Sequence, residues 1–451
     1  MQQGRGVREA QPGLRAARSR PLLPVALLFG LMLIVGVREG GFWPADAFVA
    51  AAGSVLVLLA AAIARPLDRR ALGVVAALVV LALWWAVRAA TAGSMRAVLP
   101  FGASCLACAG AFAVIRALRG AHRQWAGIGV ACLGAAGGLL GFAGLIWRWF
   151  PLAMPAQGLW RLSTTLTYSD AAGLVLGMCL LVALGVDRCP WVVRPAVCLC
   201  AGGLLASQSR GAFVAIACAG AFLPWRSVTR SLVPLLAGAT LGLAAIATSP
   251  DPGAVPWLGA VLVAAVAISS VPVARLRAAT IDPRVRMAAG WLVLIGLLVS
   301  VVPIHHEIAL RALAPSDRDR ATEWSVAWHQ WGSAPLFGVG PDRLLSFHTA
   351  AGTYAKFAHN EYLQVVADAG AVGLALLVAA VVALCRAVRR FDSLSSCACA
   401  ALVCGAVGGA FDFDWHLPFV GLLCGCCAGL AARSARAEAE APRDLARVAV
   451  A

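Results

Sequence analysis

Fourteen apolar runs, most of them near twenty residues long, follow one another along this chain with short gaps between them. They lie at about 21–37, 44–64, 71–87, 97–115, 125–147, 169–186, 191–206, 211–223, 231–249, 255–273, 286–304, 362–385, 395–411 and 418–432. A helix needs roughly 20 apolar residues to cross the hydrocarbon core of a bilayer. Lipid satisfies no backbone hydrogen bonds, so such runs fold as helices. Of 451 residues, 61% are hydrophobic and 13% charged, about half the charged share of a soluble domain. A soluble globular enzyme, a disordered chain and a disulfide-stapled secreted domain are all excluded. The expected fold is all-α: a polytopic integral membrane helix bundle of about 12–14 transmembrane helices, the short runs such as 211–223 setting the range. Gly and Ala are abundant in the runs, as close helix packing in lipid requires.

The charges give an orientation. Lys+Arg number 37 against 21 Asp+Glu, and Lys356 is the only lysine. No basic block is interleaved with aromatics, so nucleic acid is not an expected partner. Alternate gaps divide the basic residues unequally. The N-terminus, 65–70, 116–123, 188–194, 226–230, 275–286, 386–390 and the C-terminus hold 26, and the other gaps hold 11. The positive-inside rule makes the first set cytoplasmic. It also requires a turn at Ser207–Arg210, because one helix over 191–223 would put 275–286 and its four Arg outside. Arg5, Arg8, Arg15, Arg18 and Arg20 before an apolar run resemble a signal sequence, but the run is long and more spans follow, so an uncleaved first helix is expected. The plan is a cytoplasmic basic N-terminus (1–20), an N-terminal transmembrane bundle (21–304), an extracytoplasmic loop (305–361), C-terminal transmembrane helices (362–432) and a cytoplasmic tail (433–451).

The loop at 305–361 is unlike the other gaps. It is long and polar and holds five of the seven histidines: His305, His306, His329, His348 and His359. Trp324, Trp328 and Trp331 recur at helical spacing, which predicts a helix over 319–332. Such a stripe rests at a membrane interface or forms a platform on which a sugar stacks. Pro335-Leu336-Phe337-Gly338-Val339-Gly340 ends the helix.

Several residues there carry chemistry. Arg210, in Ser207-Gln208-Ser209-Arg210-Gly211, lies against hydrocarbon, where a cation is costly. Its guanidinium fork suits phosphate oxygens, although a headgroup anchor or helix cap is the plainer role. His359 stands where the loop enters a membrane helix. With an ordinary pKa of about 6.5 it can accept a proton at neutral pH; the plainer role is an interfacial histidine bonded to backbone. Arg320 and Arg318 begin the Trp helix, and Arg320, Trp324 and Trp328 share a face. Glu361, Gln364 and Asp368 share another, with a structural hydrogen bond expected at Asp368. Asp317-Arg318-Asp319 reads as a solvated charge cluster. Asp412, Asp414 and His416 form a tight outer loop, read as helix capping and interface anchoring rather than a metal site. The fifteen cysteines lie in apolar runs or at their ends, and Cys105-Leu-Ala-Cys108 lacks a second pair to make a zinc site. No metal or other cofactor is expected.

The ordered set of motifs resembles the O-antigen ligase/polymerase superfamily of bacterial polysaccharide membrane enzymes. Ser-x-Ser-Arg-Gly at 207–211, Arg320-x-x-x-Trp324 followed by Pro335-Leu336-Phe337-Gly338-Val339-Gly340, and His359-Asn360-Glu361-Tyr362-Leu363-Gln364 followed by Gly370-Ala371-Val372-Gly373-Leu374 carry the likeness. Arg161 with Thr167-Tyr168-Ser169-Asp170-Ala171 is similar to an upstream motif in which Asn is expected at Asp170, a departure that weakens Asp170 as a site residue. The resemblance implies a GT-C-like bundle and an inverting, metal-independent glycosyl transfer on the outer face of the inner membrane. The donor would be a glycan on undecaprenyl diphosphate. The acceptor would be lipid A core for a ligase, a growing polysaccharide for a polymerase, or a protein. His359 would be the catalytic base, oriented by Asn360 or Glu361. Arg210, Arg320, Arg161, Arg318, Asn360 and Trp324 would bind substrate, with membrane lipids around them. A small-anion transporter is the alternative of another class, but transporters place polar sites near the midplane, and here they gather at one face.

Overall fold

The structure is a computed structural model and describes residues 22–156, 158–270, 318–344, 346–348, 353–390 and 392–432. The terminal segments, the gap at 275–286, the run at 286–304, and His305, His306 and Asp317 lie outside the described residues. The side chains of Arg318, Asp319 and His348 do too.

The chain is a helical bundle. Its apolar helices are α1 (Leu22–Val37), α2 (Pro44–Ala64), α3 (Arg69–Thr91), α4 (Val98–Arg116), α5 (Ala121–Trp147), α6 (Ser169–Gly185), α7 (Pro190–Ser207), α8 (Arg210–Gly220), then α10 (Leu232–Ala247) and α11 (Pro256–Ser270) after a short α9 (Trp225–Arg230). A polar helix α12 (Arg318–Ser333) precedes α13 (Glu361–Ala387), α14 (Ser393–Gly408) and α15 (Pro418–Ala431). Among the described residues, six are by length and composition able to cross a membrane: α2, α3, α4 with its 3-10 lead-in, α5, α7 and α13. Seven more are apolar but have 17 residues or fewer, which at 1.5 Å per residue is at most about 26 Å. The bundle is helical as expected, with almost no strand among the described residues. Two small antiparallel ribbons occur, β1 (Ala153–Ala156) with β2 (Leu159–Leu162), and β3 (Ser346–His348) with β4 (Thr353–Ala355).

Polar caps decide where helices begin. Asp68, Ser209, Asn360 and Asp392 each accept a backbone N–H in the first turn of the helix they precede, satisfying donors the helix leaves open. Ser209 matters most for topology. Gln208 adopts a left-handed conformation (φ 53°) between the end of α7 and the start of α8, so the chain turns at 207–210.

Small residues decide how close the helices come. Gly421, Gly425 and Gly429 recur every four residues on α15 and face α4, where an added methyl would strike the Ser104 carbonyl, the Cys108 carbonyl and Ile115. This small-xxx-small stripe lets the two backbones touch. Ion pairs sort to the two ends of the bundle. Arg116–Asp68 (2.7 Å) and Arg123–Asp392 (3.0 Å) join the gaps rich in Arg, whereas Arg161–Asp170 (2.8 Å) and Arg320–Asp412 (3.6 Å) lie at the other end.

The turn after α12 locks onto a kink in α13. Gly370 breaks the helical dihedrals (φ 68°, ψ −166°), which frees backbone groups on both sides of it. Val339 and Gly340 donate to the carbonyls of Ala367 and Asp368 (2.8 and 3.0 Å), and Ala371 and Val372 donate to those of Pro335 and Leu336 (2.9 and 3.2 Å). Gly338 has φ 75°, and a Cβ there would meet the Asp368 backbone. Gly338→Ala should therefore cost about 2–5 kcal/mol through strain and overlap together. A thermal melt of the purified variant in detergent within a degree of the parent would contradict this.

Candidate active site

The entry to α13 builds the site. His359 has a left-handed backbone (φ 46°), an uncommon conformation for a residue with a side chain. Asn360 caps α13: its Oδ1 accepts from Leu363 N (3.1 Å) and its Nδ2 donates to the Ala410 carbonyl (3.0 Å). Gln364 accepts from Ala358 N (2.8 Å) and donates to Asp368 (2.7 Å). The backbone on both sides of His359 is thus pinned, and the ring position follows from it.

The ring meets the loop between α14 and α15. His359 Nδ1 is 3.1 Å from Asp412 Oδ1, and Nε2 is 3.9 Å from the buried Glu323 carboxylate of α12. Neither Asn360 nor Glu361 orients the histidine, contrary to expectation. Asn360 is spent on the cap. Glu361, fully buried, accepts from Trp415 N (2.5 Å) and pairs with His416 Nδ1 (3.1 Å), which fastens the 409–417 loop to α13. Asp412 and His416 are therefore not interface anchors, and Asp412 caps no helix. Phe413 packs beneath the ring edge-on (5.1 Å) and stacks on Phe357 (4.5 Å) and Tyr168 (5.2 Å).

Asp412 is the hub. Its Oδ2 accepts from the Tyr168 hydroxyl (2.6 Å), and its Oδ1 accepts from Phe413 N (2.9 Å). Arg320 Nη2 lies 3.6 Å away, and Arg320 Nη1 donates to the Phe411 carbonyl (2.6 Å). Arg161 on β2 pairs with Asp170 (2.8 Å) and donates to the Ser207 carbonyl (2.9 Å), tying the ribbon to the α7–α8 turn. Asp170 therefore belongs to the site despite its departure from the family pattern. Asp170, Ser209, Gly211, Arg320, Asp412 and Asp414 line one small cleft. Arg210 is the exposed first residue of α8, with its neighbours Ser209 and Gly211 both in that lining. Trp324 is half-buried one turn after Arg320; its indole N–H has no hydrogen-bond partner among the described residues. Trp328 is exposed and edge-on to Trp331 (4.9 Å).

Burial sets the electrostatics. It pushes the Asp412 carboxyl up to about 7, with Asp170 adding to the effect and Arg320 opposing it. Burial, then Asp412 and Asp170, push Asp414 well above the carboxylate range. Burial and Asp412 likewise raise the Tyr168 hydroxyl. Arg320 is partly desolvated, which opposes its charge, but Asp412, Tyr168 and Asp170 outweigh that and hold it cationic. Desolvation also opposes the charge on His416, and Glu361 outweighs it. The arrangement is a proton acceptor held against a carboxylate, beside a retained cation.

On sequence alone Asp412 is named only for a capping and anchoring role. A carboxylate flanked by apolar runs is as costly as Arg210, and that argument applied evenly would have raised it.

These features define a multi-pass helical membrane protein with a histidine–carboxylate–arginine site at one end of the bundle. Residues 195–378, less than half of the chain, match the family model described as O-antigen ligase; over that stretch the chain is similar to this family, and the resemblance rests on this match as well as on the motifs. The match includes Arg210, Arg320 and His359, begins after Arg161 and ends before Asp412. No curated protein matches the chain.

Proposed function

We propose that this protein transfers a glycan from undecaprenyl diphosphate to an acceptor hydroxyl, lipid A core or a growing polysaccharide, with inversion and without a metal. The observation that carries the reading is His359 held on Asp412 next to Arg320. With Nδ1–H donated to Asp412, Nε2 keeps its lone pair and serves as the base. The acceptor oxygen attacks the anomeric carbon as its proton passes to Nε2. The carbon–oxygen bond to the diphosphate breaks, and the lipid diphosphate leaves with the electron pair. Attack opposite the leaving group inverts the centre. Glu323, 3.9 Å from Nε2, stabilises the imidazolium. Arg320, with Arg210 and Arg161 nearby, supplies fixed positive charge where the diphosphate gains charge. A diphosphate is already a good leaving group, so no step calls for a Lewis acid. The same reading places the site on the outer face of the inner membrane, with both termini cytoplasmic. The gathering of polar groups at one end, rather than at midplane, favours an enzyme over an anion transporter.

The test is transfer by the purified protein in proteoliposomes, supplied with a lipid-diphosphate glycan and either lipid A core or a second repeat. Label should move to one acceptor, and EDTA should leave the rate unchanged. A reporter fused near Ser346 that is active only in the cytoplasm, or label that reaches neither acceptor, would overturn the reading.

A further inference from the structure

A second cavity lies within the apolar bundle, apart from the cleft. α13 packs along α3 and is tied to α14 and α15 at its two ends. Near the site, Tyr362 Oη donates to the Ala406 carbonyl and Glu361 N to that of Gly409, both at 2.7 Å. At the far end, Arg389 N donates to the Ala431 carbonyl (2.8 Å), and Val388 bridges to Ala432. Between these ties a groove of about 660 Å³ opens, within the roughly 300–1,000 Å³ of ligand sites. It is bonded at both ends, so it is part of the architecture rather than a packing fault. Its walls are almost wholly apolar, and it opens sideways past Val378, Val381 and Val382, which are about half exposed. Water inside would find almost no polar partner, and an apolar cavity of this kind excludes it.

The charges lining the groove are confined to one end. Among the described residues that line it, Arg389 and Arg390 are the only cations, and they stand opposite the Tyr362 and Trp415 end. Arg389 donates to the Val388 carbonyl (2.8 Å); Arg390 donates to that of Phe222 (3.1 Å) and lies over the Phe222 ring. Both guanidinium groups are exposed and keep further donors.

We infer that this groove holds an acyl chain of one anionic phospholipid, its phosphate seated on Arg389 and Arg390. The chain enters from the bilayer through the lateral opening and lies along α13. An apolar chain joined to an anionic head matches an apolar groove with cations at one mouth. A prenyl chain with its diphosphate at the His359 end would find no cation among the described lining residues there. The lipid forms the missing wall beside α13, whose first turn follows His359, so its binding steadies the helix that carries the site. The inference does not depend on the glycosyl-transfer reading.

The test is native mass spectrometry of the full-length protein in mild detergent after exposure to dioleoyl phosphatidylglycerol or dioleoyl phosphatidylcholine vesicles. One phosphatidylglycerol should be retained, about tenfold or more in preference to phosphatidylcholine, as two interfacial arginines imply. Arg389→Gln with Arg390→Gln should erase the preference. Val403→Trp, which fills the groove, should abolish retention with the charges intact. Equal retention of the two lipids, or a preference that survives the double substitution, overturns the inference. So does displacement of phosphatidylglycerol by polyprenyl diphosphate, which would make the groove part of the donor site. None of these outcomes bears on whether glycan is transferred.

Discussion

Replacing His359 with alanine is expected to lower glycan transfer about 10²–10⁴-fold, equivalent to about 3–5 kcal/mol of barrier, while protein level and donor binding stay near those of the parent. The loss falls on kcat, because the base acts as the proton moves. Asp412→Asn is expected to lower the rate less and to change its pH dependence. The Asp412 carboxyl is pushed up to about 7, so lowering the pH through 7 protonates it and removes the negative charge that holds His359 Nδ1–H. Activity should fall on the acid side, with a limb that belongs to the Asp412–His359 pair rather than to either residue. In Asp412→Asn that limb should be lost or displaced, because the carboxyl that titrates is gone. Stability runs the other way. A carboxyl whose pKa is raised on folding binds its proton more tightly in the folded state, so its contribution is fully present below about 4 and lost as pH rises through about 7. Asp412→Asn should thus melt no lower than the parent at pH 8 while transferring more slowly. Full activity in His359→Ala would remove the mechanism, and a melting point that drops sharply at pH 8 in Asp412→Asn would remove the electrostatic account.

Arg320→Ala should be comparably severe, roughly 10²–10³-fold, the range seen when one preorganised donor to a developing anion is lost. Three effects combine. The donor diphosphate loses a cation, and Asp412 loses the guanidinium that opposes its raised pKa. The 411 carbonyl also loses its tie to α12. Arg320→Lys restores charge but not the planar fork, so it should recover only part of the rate, and the donor KM should stay high. Arg210→Lys should be damaging for the same reason. Steady-state kinetics with varied donor separate these effects. If Arg320→Ala and Arg210→Lys both transfer at the parental rate, the two arginines do not serve the diphosphate.

Local chemistry was legible in the sequence. Apolar runs of spanning length mark membrane helices because lipid leaves the backbone no other partner. The turn at 207–210 was readable from charge asymmetry, and the structure builds it from a left-handed Gln208 and a Ser209 cap. The Trp helix was readable from spacing, and the structure places it at Arg318–Ser333. Each of these signals lies within a single segment.

What joins distant segments was decided only by the tertiary structure. Asp412 reaches His359 across 53 positions and Tyr168 across 244, a pairing no spacing rule encodes. Asn360 and Glu361 adjoin His359 in the chain, yet a helix start turns one into a cap and the other toward Trp415 and His416. Asp170, marked down for its residue type, is drawn in because Arg161 needs a partner in a part-buried ribbon. The groove along α13 is likewise invisible in the runs that line it, since an apolar residue facing a cavity reads the same as one facing a neighbour. Sequence determines which segments are apolar and where they turn. Packing determines which faces meet, and with them the partner of the base and the space left for lipid.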